Sequence, residues 1–166
     1  SSDFAALAQI QYVPNQILDF TLNLRNSFSR HDVKSNITTQ ADLINSNFAI
    51  NKIKNYHHIA TQYSARFHPR DNLLLYIQKS EGYRNGGFNT SFIKQDNINN
   101  EEFIGDELNS NEYGFKYHSH DNHYGISGAF YNVNWENVIS NELQNNGLPI
   151  ALNIGNGAIH GFELQQ

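Results

Sequence analysis

The 166-residue chain contains no cysteine and no methionine, and only 3 prolines. Without cysteine, disulfide frameworks and thiolate metal sites are excluded. Without methionine, residue 1 is not an initiator residue, and a processed or truncated piece is expected. No signal peptide is legible, and no run of about 18 apolar residues offers a transmembrane helix. That last absence leaves β-barrels open, because their strands alternate and never read as continuously hydrophobic. Basic charge is scarce: 11 Lys and Arg against 16 Asp and Glu give a net charge of −5. A nucleic-acid partner, which requires a basic patch, is therefore not expected.

What the chain has in quantity is alternation. The 39% hydrophobic content, with 9 Tyr and 11 Phe, suffices for one sizeable domain. In residues 3–13, Phe4, Ala6, Ala8, Ile10 and Tyr12 share one face. Beyond Pro14-Asn15, Leu18, Phe20, Leu22 and Leu24 alternate against Asp19, Thr21, Asn23 and Arg25. The same period recurs in 56–68, 72–84, 111–118 and 123–138, with a last extended segment at about 149–164. Period two predicts strands with one apolar and one polar face, about seven in all.

The connections alternate too. Short ones at 13–15, 69–71 and 118–122 interleave with long, polar, Asn-rich ones at 31–55, 85–109 and 139–148. An up-and-down antiparallel sheet with one trimmed and one elaborated end is the pattern of transmembrane β-barrels. Aromatics near strand ends (Tyr12, Phe67, Tyr113, Tyr117, Tyr124) fit interfacial girdles. The competing expectation is a soluble β-sandwich that binds carbohydrate, with Trp135 and the tyrosines as stacking platforms.

Candidate chemistry is sparse. "GYRNGG" (82–87) follows a strand as phosphate loops do, but it lacks the Lys-Ser/Thr pair and the G-x-G-x-x-G spacing. "HSHDNH" places His118, His120 and His123 together in a short turn, and His57-His58 are adjacent; solvated histidines are expected there rather than a metal site. Glu101-Glu102 and Asp106-Glu107 read as a solvated acidic loop, so no catalytic residues, metal or cofactor are assigned. Glu112, Lys116 and Glu163 fall on the face opposite the aromatics.

"LLLYIQKSEGYRNGGFN" (73–89) resembles a strand of TonB-dependent outer-membrane receptors that rises into an extracellular loop, through Leu74, Tyr76, Ser80, Gly82, Tyr83, Arg84, Gly86, Gly87, Phe88 and Asn89. Further resemblances follow in the family's order. An E-x-G-x-K hairpin is carried by Glu112, Gly114 and Lys116; an aromatic run by Phe130, Tyr131, Trp135 and Ile139; and a final strand by Asn153, Gly155, Ala158, Gly161 and Glu163. These cover roughly residues 56–166, while the first 55 match only as a hairpin pattern.

The resemblance implies about seven strands of a 22-stranded plugged transmembrane barrel, siderophore-receptor-like, in a Gram-negative outer membrane. The plug domain, the TonB box and the C-terminal strands are expected outside this partial barrel domain, which by itself should transport nothing. It implies as partners TonB, the receptor's own plug, the lipid bilayer and a small-molecule nutrient such as a ferric siderophore. Ligand contacts are expected in the three long loops, with Arg84, Asn85 and Asn89 as candidates.

Overall fold

The computed structural model describes residues 1–41, 44–90, 101–121, 123–144 and 147–166, the side chains at 37–49 excepted. The described residues form eleven strands: β1 (Ser2–Tyr12), β2 (Leu18–Ala41), β3 (Ile44–Arg70), β4 (Leu73–Arg84), β5 (Gly87–Phe88), β6 (Glu102–Phe103), β7 (Asp106–His118), β8 (Gly125–Glu136), β9 (Ile139–Leu143), β10 (Pro149–Asn153) and β11 (Gly157–Gln165). Seven form one antiparallel sheet in the order β1-β2-β3-β4-β7-β8-β11, with two small hairpins, β5-β6 and β9-β10, beside it. The described residues include no helix.

The alternation read from the sequence becomes two faces through the register. Tyr12 pairs with Phe20, Phe20 with Ala65, Ala65 with Ile77, Ile77 with Tyr113, Tyr113 with Phe130, and Phe130 with Phe162. One apolar row therefore crosses all seven strands, and its large members stand open to the surroundings, Phe20 at 43% and Phe162 at 64%. Among the described residues no second sheet covers that row. Among the described residues the buried hydrophobics are Ile50 and Ile150, both toward the long-loop end. A sandwich buries its apolar faces between sheets, so the carbohydrate-binding sandwich expectation fails here.

The opposite face is polar and internally bonded. Asp19 faces its register partner Arg66 with Nε–Oδ1 at 2.6 Å. Asn23 Nδ2 donates to Gln62 Oε1 at 3.3 Å, and the Tyr76 hydroxyl donates to Glu112 at 2.6 Å. Bulky rings cover glycines on neighbouring strands: a Cβ on Gly114 would meet the Tyr76 ring at 2.4 Å, and one on Gly161 the Tyr131 hydroxyl at 2.5 Å. Ring-over-glycine pairs of this kind pin register.

The short connections sit at one end. Asn15 Oδ1 accepts both the Ile17 and Leu18 amides at 2.9 Å. Pro69, which has no N–H to donate, falls in the register irregularity between Phe67 and Arg70. The long connections at the other end differ from the sequence expectation. Much of 31–55 is ladder, since β2 and β3 pair continuously from Leu18↔Phe67 to Ala41↔Ile44. At about 3.3 Å per residue these strands far exceed the 9–11 residues that cross a hydrocarbon core.

β7 begins at Asp106 rather than near 111, and the 149–164 segment is two strands. Gly155, at φ +114, turns the chain between them, a conformation that suits glycine. Within the 85–109 loop, residues 91–100 lie outside the described ones.

Candidate functional site at the long-loop end

β4 rises to Arg84, β7 descends from Asp106, and β8 rises to Glu136, so their ends meet at one rim. Arg84 and Asp106 are direct register partners, and Leu108↔Trp135 puts Trp135 diagonally beside Asp106 on the same face. Asp106 is 2% exposed, yet both carboxylate oxygens accept hydrogen bonds. Its Oδ1 and Oδ2 accept Arg84 Nε at 2.9 and 3.0 Å, and Oδ2 also accepts Arg84 Nη2. Oδ2 further accepts the Trp135 indole N–H at 2.9 Å and the Ile139 amide at 3.2 Å. The guanidinium lies 5.3 Å from the Trp135 ring centroid and donates to the Ile139 carbonyl at 3.3 Å.

Asp106 stands seven residues above Tyr113, where the apolar row crosses β7, and so about 20 Å beyond it. Burial there favours its protonated form most strongly. The donors from Arg84, the Ile139 amide and Trp135, with the Arg84 charge, together outweigh burial and hold the carboxyl below its ordinary value. The bond to Asp106 in turn raises Arg84 further above its usual range.

Two of the long loops are sewn to each other. The glycines at 86 and 87 are buried, and a Cβ on Gly86 would meet the Phe103 carbonyl at 2.3 Å and the Gly105 nitrogen at 2.8 Å. That close backbone approach is the physical content of the "GGF" sequence. Asn89 is buried and reads the β10 edge as a strand would: Nδ2 donates to Ala151 O at 2.8 Å and Oδ1 accepts the Ala151 amide at 2.9 Å. Asn153 returns the arrangement, accepting the Ile104 amide at 2.9 Å and donating to Ile104 O at 3.0 Å and Asn137 O at 2.7 Å. A carboxamide carries both a donor and an acceptor, which is why asparagine-rich loops can pair this way.

Of the sequence candidates, Arg84 is committed to Asp106 and Ile139, and Asn89 to Ala151. Asn85 Oδ1 is buried with no hydrogen-bond partner among the described residues. Asp106, expected with Glu107 in a solvated acidic loop, is instead buried, and Asn153, expected only as part of the final-strand pattern, joins two loops; the distant partners of both leave no local signal in the sequence. Glu101 and Glu102, expected as solvated, face lysines instead: Lys52 Nζ is 2.9 Å from Glu101 Oε1, and Lys54 pairs with Glu102.

His57 and His58 point to opposite faces, His57 stacked on Phe28 at 4.3 Å and His58 on Tyr83 at 4.1 Å. In the short turn His123 Nδ1 lies 2.8 Å from Asp121. Among the described residues no three His, Asp or Glu side chains converge as metal donors.

The family described as "TonB dependent receptor-like, beta-barrel" matches residues 1–166. The chain belongs to the TonB-dependent receptor β-barrel family. As part of a receptor family, it is not an enzyme. No curated protein matches it in sequence.

Among solved structures, this TonB-dependent receptor barrel resembles FyuA, the ferric yersiniabactin uptake receptor from Yersinia pestis, at TM-score 0.75 and 18% identity, over 98% of this chain and 23% of that one. It is similar also to the Serratia marcescens hemophore receptor HasR, solved with its hemophore HasA and heme, at TM-score 0.74 and 12% identity, over 98% and 31%. The Escherichia coli K12 ferric-catecholate import receptor Fiu follows at TM-score 0.65 and 17% identity, over 98% and 24%. At these identities the likeness is one of fold. The chain spans between 23% and 31% of the length of these three structures.

Proposed function

We propose that this chain forms about seven strands of the wall of a Gram-negative outer-membrane receptor that captures a scarce nutrient outside the cell and imports it. The observation that carries the reading is the open apolar row from Tyr12 to Phe162, backed by a hydrogen-bonded polar face. In water such a row is an aggregation hazard, whereas in a bilayer it is solvated by lipid. The polar face, with Glu112, Lys116 and Glu163, then faces the lumen and a plug domain, and the long loops face outward. Transport requires that plug and TonB, both supplied outside these residues.

The substrate class in this reading is an iron chelate, a ferric siderophore first and heme second. The ferric yersiniabactin and ferric-catecholate receptors among the similar structures support it. Ligand contacts belong to the rim, with Arg84, Asn85 and Asn89 as its residues; Asn85 carries a buried acceptor unpaired among the described residues, while Arg84 and Asn89 shape the loops around it.

The test uses cells carrying the whole receptor, supplied under iron limitation with radio-iron as a ferric catecholate, a ferric hydroxamate or heme. Receptor-dependent uptake of one of the three, abolished without TonB, is the expected result. A receptor found in the soluble fraction, with no heat-modifiable gel band, would sink the membrane reading.

A further inference from the structure

The ladder between β3 and β4 stops at Gln62↔Ser80. Above it β3 continues, paired with β2, as far as Ile44, while β4 continues, paired with β7, as far as Arg84. The sheet thus forks into a wing of β1, β2 and β3 and a wing of β4, β7, β8 and β11. Among the described residues, the fork is bridged by side chains. Glu81 Oε2 accepts the Thr61 amide at 3.1 Å and the Thr61 hydroxyl at 2.6 Å, standing in for the next strand carbonyl. Higher up, the Tyr83 ring lies on His58 at 4.1 Å. Higher still, Lys54 meets Glu102 and Lys52 meets Glu101, with Lys52 Nζ 5.6 Å from the Phe88 ring.

The rest of the rim is built differently. β5-β6 and β9-β10 are tied to each other through Asn89 and Asn153, and Asp106 pins the start of β9 to β4, β7 and β8. They belong to the second wing. We infer that the fork is a seam along which the tall β2-β3 hairpin moves as one body against that wing, with the Lys52–Glu101 and Lys54–Glu102 pairs as its latch.

A backbone ladder resists separation at every residue, whereas this seam depends on a few side chains, and its outermost pairs are part-exposed and screened by salt. Lys52 and Lys54 share the polar face with Gln62 and Arg66, so parting the seam opens a lateral route into the receptor's interior above the apolar row. The name of that interior rests on the membrane reading proposed above; the fork itself does not.

Spin labels at Asn55→Cys and Glu136→Cys, in the whole receptor in outer-membrane vesicles, report across the seam, and labels at Asn55→Cys and Asp71→Cys report along β3 to the turn that follows it. This chain contributes no competing thiol. Raising salt to about 1 M, where screening acts within about 3 Å, is expected to lengthen and broaden the cross-seam distance by several ångströms and to leave the along-strand distance unchanged. Lys52→Glu with Lys54→Glu is expected to do the same at low salt, and adding Glu101→Lys with Glu102→Lys to restore the narrow distribution. A cross-seam distance that ignores both salt and charge reversal, or a fourfold variant that restores nothing, overturns the latch. Heat-modifiable mobility of the same samples is scored separately: its loss counts against the membrane reading, and an unmoved distance with mobility intact counts against the seam.

Discussion

Trp135 donates its indole N–H to Asp106 Oδ2 at 2.9 Å, although the two residues lie 29 positions apart on neighbouring strands. This bond, with those from Arg84 and the Ile139 amide, makes one buried carboxylate the junction of β4, β7, β8 and β9. Asp106→Ala leaves those donors without their acceptor and is expected to cost about 1–3 kcal/mol, the usual penalty for unsatisfied buried groups. Arg84 is 53% exposed, so water offsets part of its loss. Limited proteolysis of the whole receptor checks this: cleavage within 137–156 is expected to accelerate, with Asp106→Asn less affected than Asp106→Ala.

The same carboxylate predicts an acid response. Its pKa is lower folded than unfolded, so its stabilisation is fully present above the ordinary value of 3.8 and is lost as pH falls through the depressed folded value. Protease sensitivity of 137–156 is therefore expected to stay flat from neutral pH down to about 5 and to rise only below the ordinary carboxylate range. A midpoint near pH 6 would implicate another group, and the acid step is expected to vanish in Asp106→Asn.

Adjacent residues on β8 separate the two faces of the sheet. Phe130→Lys puts a charge into the apolar row, with an expected cost of about 2–4 kcal/mol at a bilayer midplane. Ala129→Lys, one residue away, places the same charge on the polar face. Outer-membrane yield and heat-modifiable mobility are expected to fall for Phe130→Lys and to hold for Ala129→Lys. Equal behaviour of the two variants would refute the assignment of faces.

Gly86 and Gly82 make a second matched pair. A methyl at Gly86 meets backbone at 2.3 Å, which cannot swing aside, while one at Gly82 meets only Leu108 Cβ at 3.9 Å. Gly86→Ala is expected to undock the 85–105 loop at a cost of about 1–3 kcal/mol, in the range of overpacking. Gly82→Ala is expected to be neutral. Protease sensitivity of that loop, read alongside unchanged barrel mobility, distinguishes the two.

Asn89→Ala removes both bonds to the Ala151 backbone. At about 1 kcal/mol for each net hydrogen bond, hydrogen exchange at the Ala151 amide is expected to quicken by about tenfold or more. An unchanged exchange rate would show that the two loops are held together elsewhere.

The positions of β1, β4 and β8, and the face each side chain takes, were legible because alternation is a local property that a lipid-facing strand must keep. The upper halves of β2 and β3 were not legible. Beyond the apolar row, Arg30, Asp32 and Lys34 alternate with His31, Val33 and Ser35, so the apolar period fades from the sequence while the backbone ladder continues. The 149–164 segment read as one strand because the break rests on the backbone at Gly155 and on β10 choosing β9 as its partner.

The rim shows the same division. The "GYRNGGFN" stretch marked where a strand runs into a long loop, and its arginine and asparagines lie at that end of the sheet. Their partners were not legible. Asp106, Ala151, Glu101 and Glu102 lie between 22 and 62 positions away from the groups they meet, and nothing near them in the chain announces the pairing.

By itself the sequence determined that the chain makes long antiparallel strands with one apolar and one polar face and with short and long connections at opposite ends. These follow from period-two chemistry and turn residues acting over a few positions. Only the tertiary structure decided which asparagines act as strand edges, which carboxylate gathers the rim, and where the sheet forks. Those depend on register and on hydrogen-bond geometry between distant segments, where a shift of one residue exchanges the faces and dissolves the contacts.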